Sequence, residues 1–140
     1  MKVIRRFNNN VVLCIDNNGN EVVAFGKALG FHEIPYILDD LSKIERSYYG
    51  IENRYLNMIN DLNSKSLDIS SQILDLCRSL LKGVMNPNML FTLADHIDFC
   101  IKRHESNLNF SMPLYEEIEL LHPLEFEIAK RGVELINETY

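Results

Sequence analysis

Residues 7–31, FNNNVVLCIDNNGNEVVAFGKALGF, decide how the rest of the chain is arranged. Val11 to Ile15 and Val22 to Phe25 are short apolar runs rich in β-branched residues. Between them Asn17-Asn18-Gly19-Asn20 supplies residues that tolerate positive φ, which predicts a β-hairpin. Both runs are apolar at successive rather than alternate positions, so both faces of the hairpin need cover. Pairing with a second copy is one way to provide it. Gly26 and Gly30 then bracket a loop in which the backbone either needs positive φ or approaches something closely.

Upstream, Met1 to Phe7 is an apolar-basic strand, and Asn8-Asn9-Asn10 has the composition of a tight turn. Downstream, Asp39 to Ser42 suggests a helical turn and Ile44 to Tyr49 a fourth strand. At Gly50 the apolar period changes from 2 to 3.6. Ile51 to Leu62 is a helix candidate. Ile69, Ile73, Cys77, Leu80, Leu81 and Val84 mark a longer one, with Ser66 or Asp68 as cap and Gly83 with Asn86-Pro87 as its end. A third helix is expected from Met89 to His104, with Leu90, Leu93, Ala94, Ile97, Cys100 and Ile101 on one stripe. Asn107 to Pro113 reads as a loop and Leu114 to Leu121 as a short helix. Pro123 opens a last helix bearing Phe126, Ile128, Ala129, Val133 and Ile136. The expected architecture is multidomain: a small antiparallel β-sheet domain over residues 1–55, a connection over 56–65, and an all-α antiparallel bundle over 66–140.

Composition narrows the function classes. Of 140 residues 46% are hydrophobic and 24% charged, ordinary for a globular chain. Cys14, Cys77 and Cys100 are far apart and odd in number, the pattern of buried thiols in a reducing compartment rather than a disulfide framework or zinc site. No apolar run reaches membrane-spanning length and the N-terminus lacks an apolar signal region, so a cytoplasmic protein without membrane insertion is expected. The net charge of −6 argues against nucleic acid, but its distribution matters more. Residues 1–31 carry Lys2, Arg5, Arg6 and Lys27 against Asp16 and Glu21, a net +2. A mildly basic head permits a phosphate-facing surface on an otherwise acidic body.

The basic strand, Asn8-Asn9-Asn10-Val11-Val12, the polar hairpin turn and Gly26-Lys27-Ala28-Leu29-Gly30-Phe31 together resemble the co-antiterminator (CAT) RNA-binding domain of the BglG/SacY family of transcriptional antiterminators. Leu90 to Phe99 with Lys102-Arg103, then Leu114 to Ile118 and Pro123 to Ala129, resemble that family's first PTS-regulation domain (PRD). The resemblance implies a homodimer that binds an RNA hairpin in a nascent leader transcript, preventing terminator formation. It also implies control through histidine phosphorylation by phosphotransferase-system (PTS) proteins, either the phosphocarrier protein or a sugar-specific enzyme II. By position, the RNA-facing residues are Arg5, Asn8, Asn10, Gly26, Lys27 and Phe31, and the phosphoacceptor is His96. No catalytic residue, metal or cofactor is implied. Two departures stand out. The family's basic stretch after Phe31 is replaced by His32 to Asp40, and the chain stops at Tyr140, which is expected to leave the PRD partial.

Each residue also has a plainer reading. Asn8 to Asn10 suit a turn, Phe31 a core position and Lys27 a solvated loop. In the RNA-binding reading Lys27 contacts phosphate and Gly26 lets the backbone come close. A phosphoryl group on His96 would be opposed by Asp95 and Asp98. His32, His104 and His122 show no metal or triad spacing and read as structural or surface residues. Cys100 lies on the apolar stripe, where a thiol is inert, which disfavours a hydrolase. The competing reading is a phosphoacceptor and protein-interaction module whose β domain only dimerises.

Overall fold

The computed structural model describes residues 1–83, 85–107 and 115–140. Val11–Ile15 (β2) and Glu21–Phe25 (β3) pair antiparallel, from Val11 opposite Phe25 to Ile15 opposite Glu21. Asp16 holds the turn between them. Its carboxylate accepts the N–H groups of Asn18 and Asn20, each at 2.9 Å, while Gly19 takes φ 83°. The Asn20 N–H, ahead of that of Asn18, lowers the Asp16 pKa below the ordinary carboxylate value.

Lys2–Asn8 (β1) joins the other side of β2, and Tyr36–Ile37 (β4) and Arg46–Tyr49 (β5) close the edges in the order β4-β1-β2-β3-β5. β4 is an additional strand beyond the four expected. The helical turn expected over Asp39 to Ser42 is a 3-10 turn at Leu41–Lys43, with the Asp40 carboxylate accepting the Ser42 N–H at 3.1 Å. One face of the sheet packs Val3, Val12, Cys14, Val22 and Ala24 with Leu29 and Leu38. On the other, Val11, Leu13, Val23 and Phe25 are buried as well, and the Tyr48 ring stands edge-on to Phe25 at 5.4 Å. The hairpin is thus covered on both faces within one copy of the chain, and its apolar residues do not themselves require a second. Asn53–Met58 (α1) and a 3-10 turn at Ile59–Asp61 bury Leu56 and Ile59. The chain divides into two compact units, Met1–Asp61 and Leu62–Tyr140.

The second unit is helical. Ser64–Leu80 (α2) starts earlier than the apolar stripe suggests. Its cap is Asn63, not Ser66 or Asp68, and the Asn63 side chain accepts the Lys65 N–H at 2.8 Å. The first turns of α2 carry serines that are nonetheless buried, Ser66, Ser70 and Ser71, which hides the helix start from an apolar count. Met89–Glu105 (α3) buries Leu90, Phe91, Ala94 and Ile97 and ends in Lys102, Arg103 and His104, cations that suit a helix C-terminus. Tyr115–Leu121 (α4) and Pro123–Thr139 (α5) complete the unit, with Pro123 in the first turn, where its missing N–H is harmless. Ile69, Ile73, Ile97, Ile128 and Leu135 form the shared core of α2, α3 and α5. Val84 and most of the 107–113 loop, along with Leu114, lie outside the described residues.

Candidate nucleic-acid interface

The turn at Asn8–Asn10 and the loop from Gly26 to Phe31 are bound to each other by hydrogen bonds. Gly26 N–H donates to Asn10 C=O and Gly30 N–H to Asn9 C=O, both at 2.9 Å. The Asn10 side-chain oxygen accepts the Ala28 N–H at 2.9 Å, and Asn8 Oδ1 accepts the Asn10 N–H at 2.8 Å. Arg6 Nη1 donates to Gly30 C=O at 3.1 Å. These bonds fix the loop in a conformation that the sequence left open. The glycines answer to close approach: a Cβ on Gly26 would lie 2.2 Å from the Lys43 carbonyl oxygen, and one on Gly30 2.2 Å from that of Asn8. Positive φ falls instead on Ala28, at 63°, a conformation that costs an L-residue about 1–2 kcal/mol. Asn10 satisfies the Ala28 N–H there.

Asn10, Lys27 and Phe31 are all exposed, Phe31 to 67%. Phe31 is therefore not a core residue, and its N–H donates to Ala28 C=O at 3.1 Å in a single 3-10 turn, Leu29–Phe31. Gly26 is buried and Asn8 half-buried. Arg5 and Arg6 separate. Irregularities in the β1–β2 register between Val3 and Arg5 and between Arg6 and Asn8 set Arg5 opposite Leu13 and Arg6 opposite Val12. The Arg5 guanidinium lies over the Phe7 ring at 4.9 Å, whereas Arg6 reaches the Gly30 carbonyl. Arg6, absent from the set implied by resemblance, is thus the arginine tied directly to this loop. The surface combines amide, cationic and aromatic groups on a rigid support, which suits unpaired bases, sugar hydroxyls and phosphates.

In the helical unit His96 is exposed on α3. Its Nε2 is 3.5 Å from the Cys100 sulfur, which accepts a hydrogen bond from Arg103 Nη2 at 3.2 Å. Arg103 also lies over Phe99 at 5.2 Å. These positions, i, i+3, i+4 and i+7, share one face of the helix. Asp98 does not oppose His96 as expected. Its carboxylate accepts the Asn63 N–H at 3.0 Å and the Ser66 hydroxyl, while Ser66 pairs with the Tyr140 hydroxyl at 2.6 Å. Two residues along a helix is about 200°, so Asp98 and His96 point to nearly opposite sides. Among the described residues, no group of three or more His, Cys, Asp or Glu is placed to hold a metal, and no helix is long and apolar enough to cross a membrane.

Comparison with known proteins gives two adjacent family matches, a CAT RNA binding domain over residues 1–55 and a PRD domain over residues 71–140. Transcription antiterminator LicT of Bacillus subtilis (strain 168) is 25% identical over 140 residues, covering 97% of this chain and 50% of its own. A beta-glucoside operon antiterminator of Dickeya chrysanthemi is 26% identical over 141 residues, with 98% and 50% covered. Protein GlcT of Staphylococcus aureus is 28% identical over 141 residues, with 96% and 50% covered. The chain thus spans about half the length of these relatives. Its fold superposes on a crystal structure of GlcT CAT-PRDI with a TM-score of 0.80 and 26% identity, covering 98% of this chain and 84% of that one.

Proposed function

The chain belongs to the family of transcription antiterminators in which a CAT RNA-binding domain precedes a PRD, and from that premise we propose that it is a sequence-specific RNA-binding regulator with no catalytic activity. As a cytoplasmic homodimer it binds a hairpin in a nascent leader transcript and keeps the terminator from forming. Phosphorylation of His96 by PTS proteins sets its activity. The observation that carries this reading is the exposure of Asn10, Lys27 and Phe31 on two segments held together by hydrogen bonds. An exposed Phe beside a lysine and side-chain amides is poorly explained by stability alone. It is the arrangement that splayed bases and a phosphate backbone require.

The groups take distinct roles. Phe31 stacks on an unpaired base, Lys27 and Arg6 contact phosphate, and Asn10 presents its amide nitrogen while its oxygen stays on Ala28. Gly26 and Asn8 shape the support, and Arg5 adds charge from its place over Phe7. A phosphoryl group on His96 would bring nearly two negative charges beside Cys100 and within reach of Arg103, a cation that favours its retention.

Titration of an RNA hairpin at several salt concentrations tests the proposal. Two phosphate contacts per protomer, from Arg6 and Lys27, make four in the homodimer and predict a log–log salt slope of about −3 to −4. Asn10→Asp keeps the acceptor for Ala28 and removes the amide donor, so folding should persist while affinity falls. Binding that ignores both salt and this change would overturn the reading. A dimer without hairpin affinity, yet with His96-dependent phosphorylation by a PTS protein, would instead support the interaction-module reading.

A further inference from the structure

The segment after Phe31 carries a second aromatic feature that the RNA-binding set does not include. His32 is exposed and extended, with φ −86° and ψ 157°. Its ring lies 4.6 Å from that of Tyr36, tilted by 48°. Tyr36 is fixed at both ends. Its backbone pairs with Val3 across β4 and β1, and its hydroxyl donates to the Leu29 carbonyl at 2.5 Å. Leu29 is fully buried and begins the 3-10 turn that ends in Phe31. Burial raises the Tyr36 hydroxyl above its ordinary pKa, so it remains a donor to that carbonyl. An exposed imidazole is therefore braced against a ring that is itself tied to the loop bearing Lys27 and Phe31.

We propose that His32 is a second base-stacking position of the RNA interface, next to Phe31, and that Tyr36 is the positioning residue that holds it. The inference rests on the RNA-binding reading and extends it by one nucleotide. Imidazole rings stack on unpaired bases, and a braced ring loses less freedom on binding than a free one. Glu33 follows His32 and is exposed, which disfavours a phosphate at this position and favours a base or a sugar hydroxyl.

The test uses the full chain and an RNA hairpin with an internal loop, bearing 2-aminopurine at each unpaired position in turn. Wild-type protein should change the fluorescence at two unpaired positions, one lost in Phe31→Ala and the other in His32→Ala. His32→Ala should lower affinity roughly 5- to 150-fold, the range for truncating a base-stacking ring, and His32→Phe should restore both signal and affinity. Tyr36→Phe should weaken the signal assigned to His32 while retaining that assigned to Phe31, which a general loss of folded protein would not do. The proposal is overturned if His32→Ala binds as wild type while Phe31→Ala fails, an outcome that leaves RNA binding intact. It is overturned together with the RNA-binding reading if wild type and Phe31→Ala show the same weak, position-independent signal.

Discussion

Gly30→Ala is the sharpest perturbation this fold offers. Gly30 does not adopt positive φ, so alanine there brings no backbone strain and the effect is steric alone. The new Cβ would sit 2.2 Å from the Asn8 carbonyl oxygen, and such contacts are essentially never closer than 3.0 Å, so turn and loop must separate by about 0.8 Å. A retreat of that size takes the 2.9 Å bond from Gly30 N–H to Asn9 C=O to about 3.7 Å, outside hydrogen-bonding range. The Arg6 bond to the Gly30 carbonyl is strained by the same shift. Overpacking with loss of one or two such bonds predicts destabilisation of about 2–4 kcal/mol. Phe31 is the next residue and moves with the loop, so hairpin affinity should fall about tenfold or more, equivalent to about 1.4 kcal/mol. Urea unfolding followed by circular dichroism, with fluorescence anisotropy of a labelled hairpin, reads both effects. Gly19→Ala is the control: nothing lies within 4 Å of its Cβ, but φ is 83°, so it should cost about 1–2 kcal/mol of stability and spare RNA affinity. If Gly30→Ala unfolds within about 0.5 kcal/mol of wild type and keeps its affinity, the close contact of turn and loop does not hold the interface together.

Further outcomes follow from other sites. Ala28→Gly relieves the left-handed conformation and should leave stability unchanged or raise it by up to about 1 kcal/mol, whereas Ala28→Val should lower it, both read by urea unfolding. Asp98→Ala removes the acceptor of the Asn63 N–H and the Ser66 hydroxyl and should destabilise the helical unit by about 1.5–3 kcal/mol, seen as faster amide exchange at the start of α2. The lowered pKa of Asp16 gives a signed pH effect. Its contribution to the hairpin is complete above the unfolded carboxyl pKa near 3.9 and is lost as pH falls through the lower folded value; Asp16→Asn should abolish that acid-side loss in an NMR titration of Asn18 and Asn20 amides. His96→Ala should abolish phosphoryl incorporation from a PTS phosphodonor, while Cys100→Ala, which removes a neighbour of the ring and of Arg103 but not the accepting imidazole, should retain it.

What could be read from sequence follows from the range of each interaction. The strands at Val11–Ile15 and Glu21–Phe25 announce themselves because composition, turn chemistry and pairing are all local. Tyr36–Ile37 does not, because two residues carry no periodicity and their partner Val3 is more than thirty positions away. The glycines flanking Lys27 were visibly special, yet only the fold separates close approach at Gly30 from left-handed backbone at Ala28. Arg6 does not stand out from Arg5 in sequence, because the register irregularities of β1 decide which arginine reaches the loop, and nothing in a strand's own sequence shows a bulge. At His96 the helical spacing of Cys100 and Arg103 is local, yet the apolar residues around Cys100 make it read as part of the buried stripe rather than as a neighbour of the imidazole. The turning of Asp98 toward Asn63 depends on a contact between α3 and the start of α2.

The bonds between Asn8–Asn10 and Gly26–Gly30 make two distant stretches of chain a single heritable part. Lengthening either by one residue would break pairing with the other, so viable variation in one must be matched by variation in the second. The same coupling complicates the reading of any scanning mutagenesis. Loss of binding at Asn10 reports the shape of residues 26–31 as much as contact with a nucleotide, and only substitutions that preserve its oxygen can tell the two apart.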